Sequence, residues 1–175
     1  IAELTEEQAR AVLDVIEPEE SEDLKELMKY DEDSAGGIMQ SELVSVLETA
    51  NVRDAVNAVI NISDEIENIY NVFVVNDAGV LIGTIPLQKL IIAKRNDAII
   101  ETIDKSIPSV DVDVDQEEVA RMFEKYDLVA LPVVDSSGHL LGRITIDDVV
   151  DVMEEETSED LYRIAGLDED DNIFN

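Results

Sequence analysis

No cysteine occurs in the sequence, so neither a disulfide framework nor a thiolate metal site can form. Histidine occurs once, at His139, which leaves no second imidazole for a catalytic or metal-binding pair. His139 follows a turn and reads as an exposed side chain. Nothing sets a nucleophile beside a base, so the chain reads as a non-enzyme. The four tyrosines, Tyr30, Tyr70, Tyr126 and Tyr162, are too scattered to form a stacking platform. Gly36-Gly37 lacks the lysine and the spacing of a phosphate loop. Basic residues are scarce as well: 12 against 43 acidic ones, a formal net charge of −31. Phosphate binding needs a basic footprint, so nucleic acid is the wrong partner. Anionic lipid headgroups are disfavoured on the same ground. No apolar run approaches the roughly 18 to 20 residues that span a bilayer, and no signal peptide opens the chain. Opening at Ile1 rather than methionine, the chain reads as a piece of a longer protein.

An excess of one charge sign on this scale has a physical cost. At physiological salt the Debye length is about 8 Å, so only neighbouring carboxylates repel strongly. At roughly 6 Å such a pair still repels by about 0.7 to 3 kcal/mol, depending on the effective dielectric. A compact fold this acidic should loosen unless cations screen it. Disorder is the competing reading of such acidity. Against it stand runs such as Asn71-Val-Phe-Val-Val75 and Leu128-Val-Ala-Leu-Pro-Val-Val134, which look like buried strands.

The first 29 residues read as two short helices. Thr5-Glu-Glu-Gln8 forms a capping box with Ala9, Val12, Leu13 and Ile16 on one face behind it. Pro18 ends that helix, and Ser21 opens a second through Leu24, Leu27 and Met28. Two short helices bury little by themselves, so residues 1–29 are expected to be the end of a larger helical domain.

The remainder contains an internal repeat. Val74 to Gly83 (VVNDAGVLIG) matches Val133 to Gly142 (VVDSSGHLLG) at a constant offset of fifty-nine residues. Each copy reads as strand, tight turn, strand, with Asn or Asp and Gly supplying the turn. Helices are expected before the hairpins, at Asn51–Ile62 and Asp115–Tyr126, and after them, at Leu87–Arg95 and Ile146–Glu155. Val44–Val46 and Val110–Val112 read as the strands that begin each unit. The fold class is α/β: two β-α-β-β-α repeats, preceded by a short all-α remnant. Each sheet covered by helices on one face leaves the other apolar, so the two copies should cover each other.

The acidic residues closing the second repeat form rows. Asp147, Asp148 and Asp151 begin a helix, followed by Glu154, Glu155, Glu156, Glu159 and Asp160. Spacings of three and four put Asp148, Asp151 and Glu155 on one face, with Glu156, Glu159 and Asp160 around another. The helix dipole favours the first of these but not Glu154 to Asp160. Something positive is expected opposite them. Carboxylates and carbonyls are hard oxygen donors suited to Mg²⁺ or Ca²⁺, and the loops do not match an EF-hand. A solvated helix face is the alternative.

At this point the residues resemble a family. The strand–turn–Gly–strand pattern at this spacing resembles a pair of CBS domains. Tyr30-Asp-Glu-Asp-Ser-Ala-Gly-Gly-Ile-Met39 resembles the segment that opens the first CBS motif of MgtE magnesium transporters. The stretches Glu117–Asp135 and Ile144–Glu156 resemble the second motif, and Thr157–Leu167 the helix leading to the pore. Residues 30–98 and 99–155 would be the two CBS motifs, and 147–167 a connecting helix towards a membrane domain absent from this chain. The resemblance implies a soluble regulatory domain on the cytoplasmic side of the membrane, homodimeric, that binds Mg²⁺ at acidic domain and subunit interfaces. It implies Asp127, Asp148, Asp151, Glu156, Glu159 and Asp160 as Mg²⁺ ligands, with Glu117 and the backbone carbonyls of Gly37 and Glu124 added. Some of these sites would be half-built without the missing domains. Exposed apolar residues such as Val149, Val152 and Met153 would supply the dimer contact, unless they pack within their own chain.

CBS pairs also bind adenine nucleotides, holding the ribose with a Ser/Thr-x-x-Asp motif. Thr145-Ile-Asp-Asp148 fits that pattern, which makes Thr145 and Asp148 nucleotide-binding residues under this reading. The equivalent Pro86-Leu-Gln-Lys89 lacks both hydroxyl and carboxylate. Thr145 read without the family is a strand-end residue capping the next helix.

Overall fold

A computed structural model describes residues 29–165. The helices expected within residues 1–28, and residues 166 and 167 of the connecting helix, lie outside the described residues. The first half contains α1 (Ala35–Ile38), β1 (Ser45–Leu47), α2 (Val52–Ile62), β2 (Asn71–Val75), β3 (Leu81–Pro86) and α3 (Leu87–Ile92). The second half repeats the order with α4 (Ile99–Thr102), β4 (Val110–Asp111), α5 (Gln116–Tyr126), β5 (Ala130–Val134), β6 (Leu140–Thr145) and α6 (Ile146–Ala165).

Each half carries a three-stranded sheet, ordered β1-β2-β3 and β4-β5-β6. The first pair in each is parallel and the second antiparallel. Ladder irregularities fall at Val74/Val75 and Val133/Val134, again fifty-nine residues apart. The hairpin turns form as their chemistry dictates. Asn76 Oδ1 accepts the amides of Ala78 and Val80, both at 3.0 Å, and Asp135 Oδ1 accepts those of Ser137 and His139, both at 2.9 Å. Gly79 and Gly138 then take φ of +80° and +85°, where a side chain would be strained. The two turns meet each other: Leu81 N–H donates to Gly138 C=O and Leu140 N–H to Gly79 C=O, each at 3.0 Å.

The helices start where sequence places caps. Asn51 and Asp54 make a reciprocal capping box on α2, and the Asp115 side chain accepts from Glu117 N–H on α5. Helix α2 turns Val52, Ala55, Val56, Val59 and Ile62 inward, and α5 turns Val119, Ala120 and Phe123 inward. Two separate cores result. One gathers Val52, Val72, Val74, Ile85 and Leu90; the other Val119, Phe123, Leu131, Val133, Ile144 and Val149. Each fully buried aliphatic or aromatic side chain here contributes about 1.5 to 3 kcal/mol of transfer free energy.

The segment that opens each repeat packs on the other one. Ala35 and Met39 belong to the second core, whereas Ile99 and Ile103 join the first. Backbone bonds enforce the exchange: Gln40 and Arg143 bond reciprocally (2.8 and 2.9 Å), as do Thr84 and Asp104 (2.8 and 3.1 Å). The helix N-termini use the same segments. Val52 and Arg53 donate to the carbonyls of Asp97 and Arg95, and Gln116 donates to that of Asp33. This demand on residues 95–97 explains why α3 stops at Ile92 and not at Arg95 as expected. The final helix runs unbroken from Ile146 to Ala165, so the helix expected after the second hairpin and the connecting helix expected over 147–167 are one element as far as the described residues reach.

The repeats differ at one loop. The α2–β2 connection covers residues 63–70, against 127–129 between α5 and β5. Its additional length, with Asn68 at φ 58°, reaches across to β6 and the start of α6.

Candidate functional site

That loop, the 40–42 segment and the β6–α6 junction enclose a cleft of ≈ 440 Å³ lined by Gln40, Glu42, Asn68, Thr145, Asp147 and residues 65–67. Strand β6 delivers Thr145, which is 2% exposed, and α6 begins immediately behind it. Asp148 Oδ2 accepts both the amide and the hydroxyl of Thr145, each at 2.9 Å. Gln40 Nε2 donates to both Asp148 oxygens at 3.0 and 3.1 Å. Thr145 and Asp148 are thus brought together, as the Thr-x-x-Asp pattern requires. They also form a helix cap, with Asp148 reaching back to the residue before the helix. Tyr70 O–H donates to Asp147 Oδ2 at 3.3 Å, and burial, followed by the charge of Asp147, raises its phenol above the ordinary value.

Beneath the cleft lies Arg143, 3% exposed. Its Nε donates to Glu42 C=O (3.1 Å), Nη1 to Asn68 C=O (2.8 Å) and Nη2 to Glu67 C=O (3.1 Å). No carboxylate pairs with it within 4.0 Å among the described residues. Desolvation lowers its pKa, while Asp148, Tyr70 and Glu42 oppose that shift. Sequence reasoning missed Arg143, Gln40 and the 65–68 loop. The available signals were a lone basic residue in an apolar strand, where the first repeat has Thr84, and the longer stretch between α2 and the first hairpin.

Helix α6 distributes its acidic residues in three directions. Asp147 and Asp148 face the cleft. Asp151, Glu154, Glu155, Ser158 and Glu159 line an open groove of ≈ 540 Å³. Glu156 turns to α5, where Gln116 Nε2 donates to its Oε1 at 3.0 Å. Asp148, Asp151 and Glu155 follow one another at helical spacing along the unbroken α6, and at the first of them the Thr145 and Gln40 bonds engage the carboxylate at the cleft. Further along, Glu156 bonds to Gln116, Glu159 lines the groove, and Asp160 lies 3.7 Å from Arg163.

At the start of α5, Glu117 meets Glu156. The hydrogen bond and repulsion between the two raise the Glu117 carboxyl above its ordinary value, and Arg121, 3.2 Å away, holds it back in part. Asp127 occupies the left-handed C-cap of α5 at φ 50° and is exposed, as are Glu124 and Gly37. Among the described residues no hydrogen bond or ion pair joins these three to the α6 carboxylates.

The donor chemistry suits Mg²⁺, which keeps several waters and takes one or two carboxylates. Among the described residues no three Asp, Glu or His side chains converge on one point. The pair Glu117–Glu156 and the row Asp151, Glu155, Glu159 offer partial sites of the kind a hydrated ion can bridge.

Among the apolar residues expected at a dimer contact, Val149 (0% exposed) and Val152 (4%) pack inside their own chain, because they face α5 and the second sheet. Met153 is 41% exposed and Val150, not foreseen, 45%. They border an apolar groove with Glu154, Thr157 and Ser158. Beyond it every residue from Thr157 to Ala165 is exposed, including Leu161, Tyr162 and Ile164. His139 is half-buried rather than fully exposed, its Nδ1 2.9 Å from Asp135 Oδ2. No helix among the described residues is long and apolar enough to cross a membrane.

Comparison with known proteins matches the CBS domain over residues 35–96 and 99–155. The chain is 37% identical over 161 residues to the magnesium transporter MgtE of Thermus thermophilus, covering 92% of this chain and 36% of that protein. It therefore spans about a third of that relative's length. A crystal structure of the soluble part of a magnesium transporter superposes with TM-score 0.83 and 38% identity, covering 87% of this chain and 60% of the other. A crystal structure of the cytosolic domain of the Mg²⁺ channel MgtE in complex with ATP gives TM-score 0.79 and 37% identity, with coverage of 82% and 58%.

Proposed function

Because the chain belongs to the CBS domain family and is a homologue of the MgtE magnesium transporters, we propose that it is the cytoplasmic Mg²⁺-sensing part of such a transporter. It acts as a binding module and not as an enzyme. The observation that carries this reading is the acidic surface of α6 and α5, in a chain of net charge −31 whose relatives move Mg²⁺.

The ions would bind at incomplete carboxylate sets. Asp151, Glu155 and Glu159 offer one, and Glu117 with Glu156 another. Asp127, Asp148 and Asp160, with the carbonyls of Gly37 and Glu124, would add ligands where further domains or a second copy complete the shell. Mg²⁺ stabilises whichever arrangement brings carboxylates together, by its differential affinity for the two states. Without the ion, repulsion separates the acidic surfaces and frees α6. The exposed end of α6, with Leu161 and Ile164, would dock on the membrane domain and pass the movement to the ion path. The protein would be a homodimer, with Met153 and Val150 at the contact.

Scattering and protease sensitivity in EDTA and in about 10 mM Mg²⁺, a range set for weak oxygen-ligand sites, test the proposal. Compaction and protection in Mg²⁺ are expected, reduced by Asp151→Asn with Glu155→Gln. Identical profiles in the two conditions would overturn it.

A second reading has its own support. Thr145 and Asp148 stand together at a cleft, and a relative has been crystallised with ATP. Under it the cleft holds an adenine nucleoside or nucleotide, and Thr145→Ala abolishes its binding.

A further inference from the structure

Helix α5 starts on a polar side chain that its counterpart in the first repeat does without. Asn51 caps α2 and Asp115 caps α5, so Val52 and Gln116 hold the same place. Each is the first residue of its helix, and each donates its backbone amide to a connecting segment, at the carbonyl of Asp97 or Asp33. Both side chains are buried, 0% and 6% exposed. Valine therefore suffices for the fold at this place, and burying an amide there costs free energy unless it is hydrogen-bonded. The Gln116 amide has its partner in Glu156, where Nε2 donates to Oε1 at 3.0 Å. The first repeat has no call for such a donor: Asp97, fifty-nine positions before Glu156, lies past the end of α3 at Ile92.

The bond acts on a pair that would otherwise separate. Glu156 reaches the Glu117 side chain. Two carboxylates in contact repel, and a long side chain on a helix turns away from a like charge when nothing tethers it. Gln116 supplies the tether from a fixed point. Its backbone amide bonds to Asp33 at 2.7 Å, and Ala35 and Gly36 donate to Val114 and Val112 just before it, at 2.7 and 2.8 Å. The tether is also uncharged. A lysine would make the same bond and cancel a negative charge, whereas an amide holds the carboxylate and leaves its charge intact. A carboxylate offers about four acceptor sites, so one amide leaves room for a cation. Arg121 reaches Glu117 at 3.2 Å, but its side chain is 66% exposed and such pairs are weak.

We propose that Gln116 is a positioning residue for a divalent cation, holding the Glu156 carboxylate beside Glu117 so that one hydrated ion bridges the two. The proposal rests on the reading of Glu117 and Glu156 as Mg²⁺ ligands and adds the group that keeps them together.

Titration calorimetry with MgCl₂ at constant ionic strength, and thermal melting in EDTA, test it on the chain and on Gln116→Val. The variant is expected to fold, since the first repeat carries valine at this place, and to bind Mg²⁺ at the pair about tenfold or more weakly. In a Glu156→Gln background the same substitution should change Mg²⁺ affinity little, an independence that general loosening of α5 would not give. Melting supplies a readout free of metal. In EDTA at neutral pH, Glu117→Gln should raise the melting temperature of the parent chain by relieving repulsion. It should not do so in Gln116→Val, where Glu156 has already turned away. Unchanged Mg²⁺ affinity in Gln116→Val, or an equal loss in the Glu156→Gln background, overturns the positioning role, and the ion reading stands if Glu156→Gln alone weakens binding. Equal stabilisation by Glu117→Gln with and without Gln116 overturns it as well. Mg²⁺ binding indifferent to both Glu117→Gln and Glu156→Gln overturns the ion reading of the pair and the proposal with it, whatever the EDTA comparison gives.

Discussion

Gln40 donates its side-chain amide to both carboxylate oxygens of Asp148, a residue 108 positions further along the chain. The bond ties the segment opening the first repeat to the first turn of α6. Among the described residues Asp148 Oδ1 accepts from Gln40 alone, which leaves that oxygen a free lone pair on the cleft side of the carboxylate. Asp148→Ala is expected to cost about 1 to 2 kcal/mol, the usual size of a lost helix cap. Asp148→Asn should cost much less, because its amide oxygen still accepts from Thr145 and its nitrogen can donate to a turned Gln40 oxygen. Chemical denaturation of the two variants checks the order.

Arg143 is the group on which the loop geometry depends. Arg143→Met leaves the carbonyls of the exposed residues Glu42, Glu67 and Asn68 without their donor and is expected to destabilise by about 1 to 3 kcal/mol. Arg143→Lys has donors on a single nitrogen and cannot span acceptors on both the 42 and 67–68 segments, so it should fall between. Proteolysis of both variants should begin within residues 63–70, before the cores open. Cleavage elsewhere first would assign Arg143 a general rather than a local role.

Much of this architecture was legible in the sequence. The offset between Gly79 and Gly138 located both hairpins, and Asn51 and Asp115 marked two helix starts, because turn and cap chemistry act over a few residues. Thr145 and Asp148 were readable together for the same reason. The crossed packing of Ala35 and Ile99 was not, since each depends on backbone bonds to the opposite repeat, such as those of Gln40 with Arg143. The partners of the α6 carboxylates were hidden likewise. Periodicity places Asp148 in a row with Asp151, but says nothing of Gln40, 108 residues earlier, which bonds to it.

Glu117 and Glu156 should oppose folding when no cation lies between them. The Glu117 carboxyl is raised above its ordinary value of 4.5 in the folded chain, so the folded state takes up that proton before the unfolded state does. The contribution of the pair therefore improves as pH falls through the raised value and worsens as pH rises through it. Glu117→Gln is expected to raise the melting temperature slightly in EDTA at about pH 7 and to lose that advantage near pH 4.5. It should also weaken Mg²⁺ binding. A variant with lower stability at neutral pH, or a parallel pH profile, would contradict the assignment.

The surface of α6 carrying Val150 and Met153 makes a prediction about assembly. Both are more than 40% exposed and line an apolar groove, whereas Val149 and Val152 on the same helix are buried in their own core. Val150→Glu with Met153→Glu should convert a dimer to a monomer in sedimentation velocity and leave the unfolding midpoint of the monomer unchanged. Val149→Ala, by contrast, should lower stability by about 1 to 3 kcal/mol and leave association alone.

The largest effect should come from the ion itself. With 43 acidic and 12 basic residues, any salt will relieve some repulsion, so a rise in stability with MgCl₂ alone says nothing about bound ions. Comparison at equal ionic strength separates the two causes: about 10 mM MgCl₂ against about 30 mM NaCl. Screening depends on ionic strength and should act alike in both. Bridging by Mg²⁺ between carboxylates adds a mass-action term that NaCl lacks, and two sites at about ten times their dissociation constant would raise the melting temperature by roughly 6 to 11 °C beyond the NaCl value. Asp151→Asn with Glu155→Gln should remove part of that difference, since it lowers the number of hard oxygen donors on α6 while leaving the helix register intact. Equal melting temperatures in the two salts would mean that the charge is merely screened and that α6 holds no ion.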